Sequence, residues 1–422
     1  MSIRSFLIFS LLILGLYSLS SVMALRTVLA EDRTIQFWHW WNSASEVENI
    51  DILNRYLKKY DLQWQDKEAN NSSSSLYLAQ ISDQLKEQLP DAAMLDSSEA
   101  HNYDKAFSLM HLDVIAQELN WEEVIPLAIQ EHAKHQGHWV SAPLNSHSTN
   151  WLWINKSLFA RLNMHEPDTW EDLMAVLERA KVLGIPALAT PRDAWEKALL
   201  FELVVMSTGG LEFYRRLFID QQLIPADQRI LAESFSRLKQ LTSYFATTTD
   251  NLSWDQATAQ LVQGNVLIQV HGSWVNSELT VLGAEADRDY LCMRFPGTQG
   301  AYIFHSDHVV FFKSAQNRSE NQLQLARILL NKEFQRELSI ASGASPVRVD
   351  ISTDGFNKCS KKNIHDLRMA NMRRAVMPSI NSKGLEHVVD DFLQQRTSIN
   401  TAVDKVLAMA VMRPALESLG HP

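Results

Sequence analysis

Between Thr34 and Asp96 the chain alternates between strand-like and helix-like patterning, and that alternation limits the fold more than any other feature. "TIQFWH" (Thr34–His39) reads as a strand. "NSASEVENIDILNRYLKKY" follows with apolar residues at helical spacing and Ser43 or Ser45 as N-cap. Residues 62–66 read as a second short strand, "ANNSSSSL" (Ala69–Leu76) as a polar loop, and Tyr77–Gln88 as a helix. "PDAAML" (Pro90–Leu95) is a third strand ending in Asp96-Ser97-Ser98. A β-α-β-α-β order predicts an open α/β sheet whose ligand crevices lie at the carboxyl ends of its strands. Trp40 and Trp41 would then share one rim with Asp96 to Ser98.

A chain of 422 residues is too long for one compact core, so two or three units are expected. The formal net charge of −10 gives no general attraction for nucleic acid or an anionic membrane. The first thirty residues stand apart. Arg4 precedes the uncharged run Phe6–Leu19, and Val22/Ala24 or Val28-Leu29-Ala30 suit signal peptidase. The run is short for a span of about 20 residues, so residues 1–30 are expected to be a cleaved signal peptide rather than a retained anchor. Cutting after Ala30 removes two Arg and takes the charge from −10 to −12. The mature protein is expected in the periplasm. There Cys292 and Cys359 form either one disulfide, with a single possible connectivity, or two buried thiols; the disulfide is preferred.

Further along, "TNWLWIN" alternates as a strand with Trp151 and Trp153 on one face, and it is a candidate crossing between two lobes. "EPDTWEDLMAVLERAKVLGIPALA" predicts a capped amphipathic helix, a stop at Gly184 and a new strand. "WEKALLFELVVMSTGG" predicts an apolar helix ended by Gly209-Gly210. The region from about Asp350 reads as helical, without solenoid repeats.

No nucleophile elbow, phosphate-binding loop, H-E-x-x-H or EF-hand pattern occurs, and the chain is not expected to be an enzyme. His101/His111 and His132/His135/His138 lie close in sequence only, so no metal site and no cofactor are expected. A glycosidase would need two cleft carboxylates at catalytic spacing, which a sequence does not fix. The Trp residues say more. Trp64, Trp121 and Trp170 read as core. Trp40, Trp41, Trp195 and Trp274 each sit at a strand end or loop beside polar residues. A flat ring with an N–H at its edge suits a sugar: the pyranose C–H face stacks on it while neighbouring carboxylates and amides bond the hydroxyls. On this reading "FWHWW" is a strand whose last rings turn outward as a platform.

With "HWWNSASE", "GHWVSAPLNSHSTNWLWINKSLF", "PDTWEDL", "LFELVVMSTGGLEFYR", "FPGTQGAYIFHSDHVVFFK" and "GASPVR", the chain resembles the extracellular solute-binding proteins of carbohydrate ABC importers, closest to the glucose- and mannose-binding branch. The similarity runs from about Ile35 to Val411. It implies an α/β, two-lobed type II fold of the maltose-binding-protein kind, hinge-linked around a central cleft. The N-terminal lobe would hold 31–146 plus about 306–349, and the C-terminal lobe 147–305 plus about 350–422. It implies sugar contacts from Trp40, Trp41 and Glu46, from His147, Trp195 and Trp274, and from Asp307 and Lys313. The Cys292–Cys359 pair also matches the family.

The chain departs from the branch where the ligand is read. Ala44-Ser45 replaces a Gly-Gly, Asp96-Ser97 a Lys-Gly, Asp193 the Gln of a Gln-Pro-Trp, and Ser273 the Asp of a Gly-Asp-Trp. Asp96, Asp193 and Ser273 are therefore altered contacts. The resemblance implies a small sugar and an inner-membrane ABC permease as partners. The alternative is a periplasmic partner of a sensor kinase or chemoreceptor, with sugar binding altered or lost.

Overall fold

The computed structural model describes residues 33–41, 43–68, 89–97, 100, 103–104, 109–313, 319–369 and 382–417. The expected signal peptide, the loop over 69–76 and the helix over 77–88 lie outside these residues.

The chain opens with β1 (Thr34–His39), α1 (Ala44–Lys59), β2 (Gln63–Glu68) and β3 (Ala92–Asp96). Next come β4 (Ser141–Pro143), β5 (His147–Ser148), β6 (Trp151–Asn155), α2 (Trp170–Val182), β7 (Leu188–Ala189) and α3 (Ala194–Phe218). Then follow β8 (Phe245–Ala246), β9 (Ile268–His271), α4 (Val275–Val281), β10 (Tyr290–Arg294), β11 (Phe304–His305) and β12 (Asp307–Phe311). The helices α5 (Lys332–Ser342) and α6 (Lys358–Arg368) precede the C-terminal helices Ser382–Leu393 and Ile399–Glu417.

Two five-stranded sheets organise these elements. The first has the order β2-β1-β3-β12-β4, and the second β8-β7-β9-β6-β10. In the first, β1 pairs in parallel with β2 and β3, as a βαβ path requires, while β12 returns antiparallel to β3. Both faces of β1 are covered, which accounts for its aromatic content. Phe37 and Trp41 pack in the core with Ile52, Leu53 and Tyr56 of α1. Trp38, pointing the other way, packs with Ala93, Leu95 and Val310. Trp40 touches both clusters. The outward platform expected of "FWHWW" does not extend to Trp41, which is 3 % exposed and is a core ring.

The α1 helix begins at Ser43 with a capping box. Ser43 Oγ accepts the Glu46 N–H at 3.3 Å, and Glu46 Oε2 accepts the Ser43 N–H at 2.9 Å. In the second sheet all of β6 is buried. Leu152 and Ile154 face the core beneath α2 and α3; Trp151 and Trp153 face Leu261, Val275 and Tyr290. Gly210, at φ 73° and ψ −179°, interrupts α3, so the stop expected at Gly209-Gly210 is a kink after which the helix resumes.

The passage between the sheets lies just before β6 rather than in it. Residues 144–150 carry the chain from the first sheet to the second, and 303–306 bring it back. Here β5 and β11 pair antiparallel, with His147 opposite His305 and Ser148 opposite Phe304. Ser146 exchanges backbone bonds with Ser345 at 3.0 and 2.9 Å. Three segments therefore meet at one joint. The lobes also touch away from it. Ser45 Oγ donates to Glu278 Oε1 at 2.6 Å and the Ser45 N–H to the same oxygen at 3.2 Å, placing a carboxylate at the start of α1. Cys292 of β10 and Cys359 of α6 form the disulfide, with Cα atoms 6.1 Å apart.

Candidate ligand-binding site

Parallel pairing brings the carboxyl ends of β1 and β3 to one edge of the first sheet, and the antiparallel β12 starts there. Asp96, the last residue of β3, is therefore the direct register partner of Asp307, the first of β12. His305 Nδ1 lies 3.3 Å from Asp96 Oδ2, and the Asn145 amide donates to Asp307 Oδ2 at 2.8 Å. His305 sits across the joint from His147. His147 Nδ1 meets Ser273 Oγ at 3.1 Å, and its ring stands edge-on to Trp274 at 5.5 Å. Trp274 continues to Trp195 at 5.9 Å and His271 at 5.0 Å. One continuous series of polar and aromatic groups thus runs from the first lobe through the joint into the second.

The second-lobe half depends on the turn after β9. A Cβ on Gly272 would fall 2.2–2.6 Å from the Trp274 ring, so only glycine lets that indole fold back over the turn. Trp195 is presented by the first turn of α3. Beside it Glu196 Oε2 accepts the Arg192 N–H at 2.6 Å, which fixes the carboxylate while leaving Oε1 free of hydrogen bonds. His271 Nε2, also without a hydrogen bond, lies 3.9 Å from that Oε1. Both residues line a cavity with Thr190, Trp254 and Gln269.

The structure brings His147, Trp195, Trp274, Ser273, Asp96 and Asp307 into this series. Others it places elsewhere. Lys313 is exposed past the far end of β12, six residues and roughly 20 Å of extended chain from Asp307. Strand β12 starts at Asp307 and ends at Phe311, so Lys313 follows the end opposite to Asp307. Asp193 turns its carboxylate onto the Arg192 guanidinium, with bonds of 3.1 and 2.8 Å. Glu46 is engaged in the α1 capping box, and Trp41 in the core. The sequence reading missed His271, His305, Glu196, Glu202 and Asn145. His271 adjoins the "GSW" turn and His305 alternates with Asp307, which were the available signals; nothing marked Glu202.

The expectation that the His residues are close only in sequence fails for two of them. His111 and His138 stack at 4.6 Å, and with Asp113 they place ligand atoms within 4.8 Å of one another. This is the one group with metal-holding geometry among the described residues, and it lies outside the series above.

Burial pushes Asp307 up to about 7, with the charges of Asp96 and Glu46 adding to it. Burial also raises Glu202 and Glu386 to about 7. Burial, reinforced by His305, holds His147 down at about 3, so its imidazole is neutral. Burial lowers His305 too, but the Asp96 hydrogen bond and the charges of Asp96, Glu202 and Asp307 outweigh it and leave the pKa raised. Between about pH 4 and 7 the three raised carboxylates hold protons that the unfolded chain has released. Their contribution is largest on the acid side and is lost as pH rises through 7; the raised His305 acts in the same sense. His147 acts oppositely, costing stability as pH falls below about 6.5. Four groups outnumber one, so the melting temperature of the ligand-free protein should fall by several degrees from pH 5.5 to pH 8. Differential scanning calorimetry showing it flat or rising would contradict this balance.

Two α/β lobes joined through a narrow strand crossing, with polar and aromatic groups converging on it, define a hinge-type ligand-binding protein. Residues 52–330 match the family described as bacterial extracellular solute-binding protein. The "Probable sugar-binding periplasmic protein" of Brucella suis is 31 % identical over 351 residues, 83 % of each chain. Its namesake in Rhizobium meliloti is 31 % identical over 364 residues, 86 % of this chain and 88 % of that one. Among solved structures, the solute receptor AcbH, described as having an exclusive preference for β-D-galactopyranose, aligns with a TM-score of 0.75. That alignment covers 92 % of this chain and 99 % of the other at 13 % identity. Maltose-bound MalE3 of T. maritima aligns at 0.72 and 16 % identity, over 89 % of this chain and 98 % of that one. The chain belongs to the bacterial extracellular solute-binding protein family, and its fold is the two-lobed type II periplasmic-binding-protein fold.

Proposed function

We propose that this protein is an exported carbohydrate-binding protein that captures a sugar between its lobes and delivers it to an ABC importer without altering it chemically. The carrying observation is a group of four polar atoms, Trp195 Nε1, Trp274 Nε1, Glu196 Oε1 and His271 Nε2, all buried and none hydrogen-bonded within the chain. Buried polar atoms are ordinarily satisfied, and leaving one unpaired costs about 1–3 kcal/mol. The two indoles can only donate and the carboxylate can only accept when ionised. A hydroxylated ring supplies both roles at its edge and a C–H face for the aromatic surfaces. The names of the relatives support the same reading. The contacts would come from Trp40 and Asp307 on the first lobe and His147, Trp195 and Trp274 on the second. The lobe boundaries near residues 146, 306 and 349 form part of the same proposal, as do residues 1–30 as a signal peptide.

Tryptophan fluorescence and thermal melting against mono- and disaccharides test it. One sugar should give a saturable change in both signals, since a ligand binding only the native state raises the melting temperature. Trp274→Ala should weaken that binding by at least about tenfold, from lost stacking and burial. Flat signals across the whole set would sink the proposal.

A further inference from the structure

We infer that the protein carries a surface site for a transition-metal ion of the zinc class, with His111, Asp113 and His138 as its ligands. The site is separate from the carbohydrate reading above and does not depend on it.

The three residues come from neighbouring stretches of chain whose backbones are tied together. His111 lies between Met110, whose N–H donates to the Phe311 carbonyl at 2.7 Å, and Leu112, whose N–H donates to the Trp139 carbonyl at 2.8 Å. Asp113 is the first residue of the short helix Asp113–Glu118. His138 opens the second strand of a hairpin, Lys134–His135 paired with His138–Trp139. The two turn residues, Gln136 at φ 51° and Gly137 at φ 86°, supply the backbone twist that a two-residue hairpin loop requires. Phe311 ends β12, so the site lies at the far end of the first sheet, four residues and roughly 13 Å of strand from Asp307.

The side chains meet in front of this frame. The rings of His111 and His138 stack at 4.6 Å with 19° between their planes. His138 Nδ1 lies 2.8 Å from Asp113 Oδ2, while Asp113 Oδ1 accepts the Trp139 N–H at 3.0 Å. That backbone bond orients the carboxylate from behind, as the outer-shell partners of metal ligands do. The His138–Asp113 contact is complete with two residues, yet His111 joins the same group, and one ligand atom from each of the three lies within 4.8 Å of the others. Ligand atoms about 2.1 Å from a tetrahedral ion lie roughly 3.4 Å apart. The 2.8 Å contact and the 4.8 Å limit bracket that spacing. Both histidines are exposed, so their side chains can turn to reach it without disturbing the core. Two imidazoles and one carboxylate select zinc, cobalt, nickel or copper over magnesium and calcium, which take oxygen shells. Three protein ligands leave a fourth tetrahedral position to water.

Isothermal titration calorimetry of the mature, untagged protein with zinc, in excess magnesium, should show one saturable site per chain. His111→Ala, Asp113→Asn and His138→Ala should each weaken it at least about tenfold, since loss of an outer-shell partner alone costs that much. His165→Ala, at an exposed histidine elsewhere in the sequence, should leave it unchanged. Should Asp113→Asn fail to fold, His111→Ala keeps the test decisive, because it leaves the bond between Asp113 and Trp139 in place. Cobalt bound in place of zinc should give the visible absorption of a four-coordinate site, and His111→Ala should abolish it. No zinc binding overturns the inference. So does binding of several equivalents that survives all three substitutions, which is the behaviour of scattered surface histidines. Zinc binding that His111→Ala leaves intact overturns it too, since His138 and Asp113 are then only a hydrogen-bonded pair closing the hairpin onto its helix.

Discussion

Replacing Asp366 with Ala is expected to destabilise the protein by about 3–5 kcal/mol, the usual cost of leaving one member of a buried ion pair without the other. Arg294, 5 % exposed at the end of β10, donates Nη2 to Asp366, and Asp366 is itself 3 % exposed. Its Nη1 reaches Ser148 Oγ at 2.8 Å and Asn150 Oδ1 at 2.9 Å, while the guanidinium lies 3.7 Å over the Trp151 ring. Those partners lie in β5, at the joint, and in the chain leading to β6, so the pair anchors α6 to the strands that join the lobes. Without the carboxylate the buried guanidinium loses the ion pair with Asp366. Asp366→Asn keeps an acceptor oxygen and should cost less than Asp366→Ala. Urea unfolding measures both; a loss for Asp366→Ala below about 1 kcal/mol would mean that Ser148, Asn150 and Trp151 suffice to hold the charge.

The sequence conveys the fold well and the site unevenly, for physical reasons. Strands β1, β3 and β6 were legible because period-two patterning and turn residues are local. Helices α1 and α2 were legible because Ser43 and Thr169 begin them with capping boxes. What escaped depends on register. That Asp96 faces Asp307 follows from an antiparallel pairing across some 211 residues, which no local pattern encodes. Lys313 failed for the same reason. Its likeness to a family position suggested a donor in the cleft, but strand direction puts it at the wrong end of β12. Trp41 failed because a ring at a strand end can equally pack against the helix that follows, and α1 does follow within three residues. The candidacy of Trp195 and Trp274 rests on a local signal, since each sits beside a helix start with polar neighbours.

Replacing Cys292 and Cys359 together with Ala is expected to cost about 4 kcal/mol, since the bridge closes a loop of separation 67 in the unfolded chain. The effect is not independent of the ion pair. Cys292 and Arg294 are two residues apart on β10, and so on one face of that strand; Cys359 and Asp366 are seven apart on α6, and so on one face of that helix. Disulfide and ion pair are two clamps across a single strand–helix contact. In the oxidised protein the bridge keeps α6 near β10 even when Asp366 is missing. With the cysteines absent, Asp366→Ala leaves nothing covalent to hold α6 over Arg294. The four-protein cycle of wild type, Asp366→Ala, the double-cysteine variant and all three substitutions should therefore show the combined loss differing from the sum of the parts by more than about 0.5 kcal/mol, the scatter expected of independent sites. Simple additivity would mean that α6 keeps its place through its own packing, with Ile364 and Leu367 buried beneath it. A coupled result would make this strand–helix contact one cooperative unit behind the joint, on which the position of the second lobe's binding groups depends.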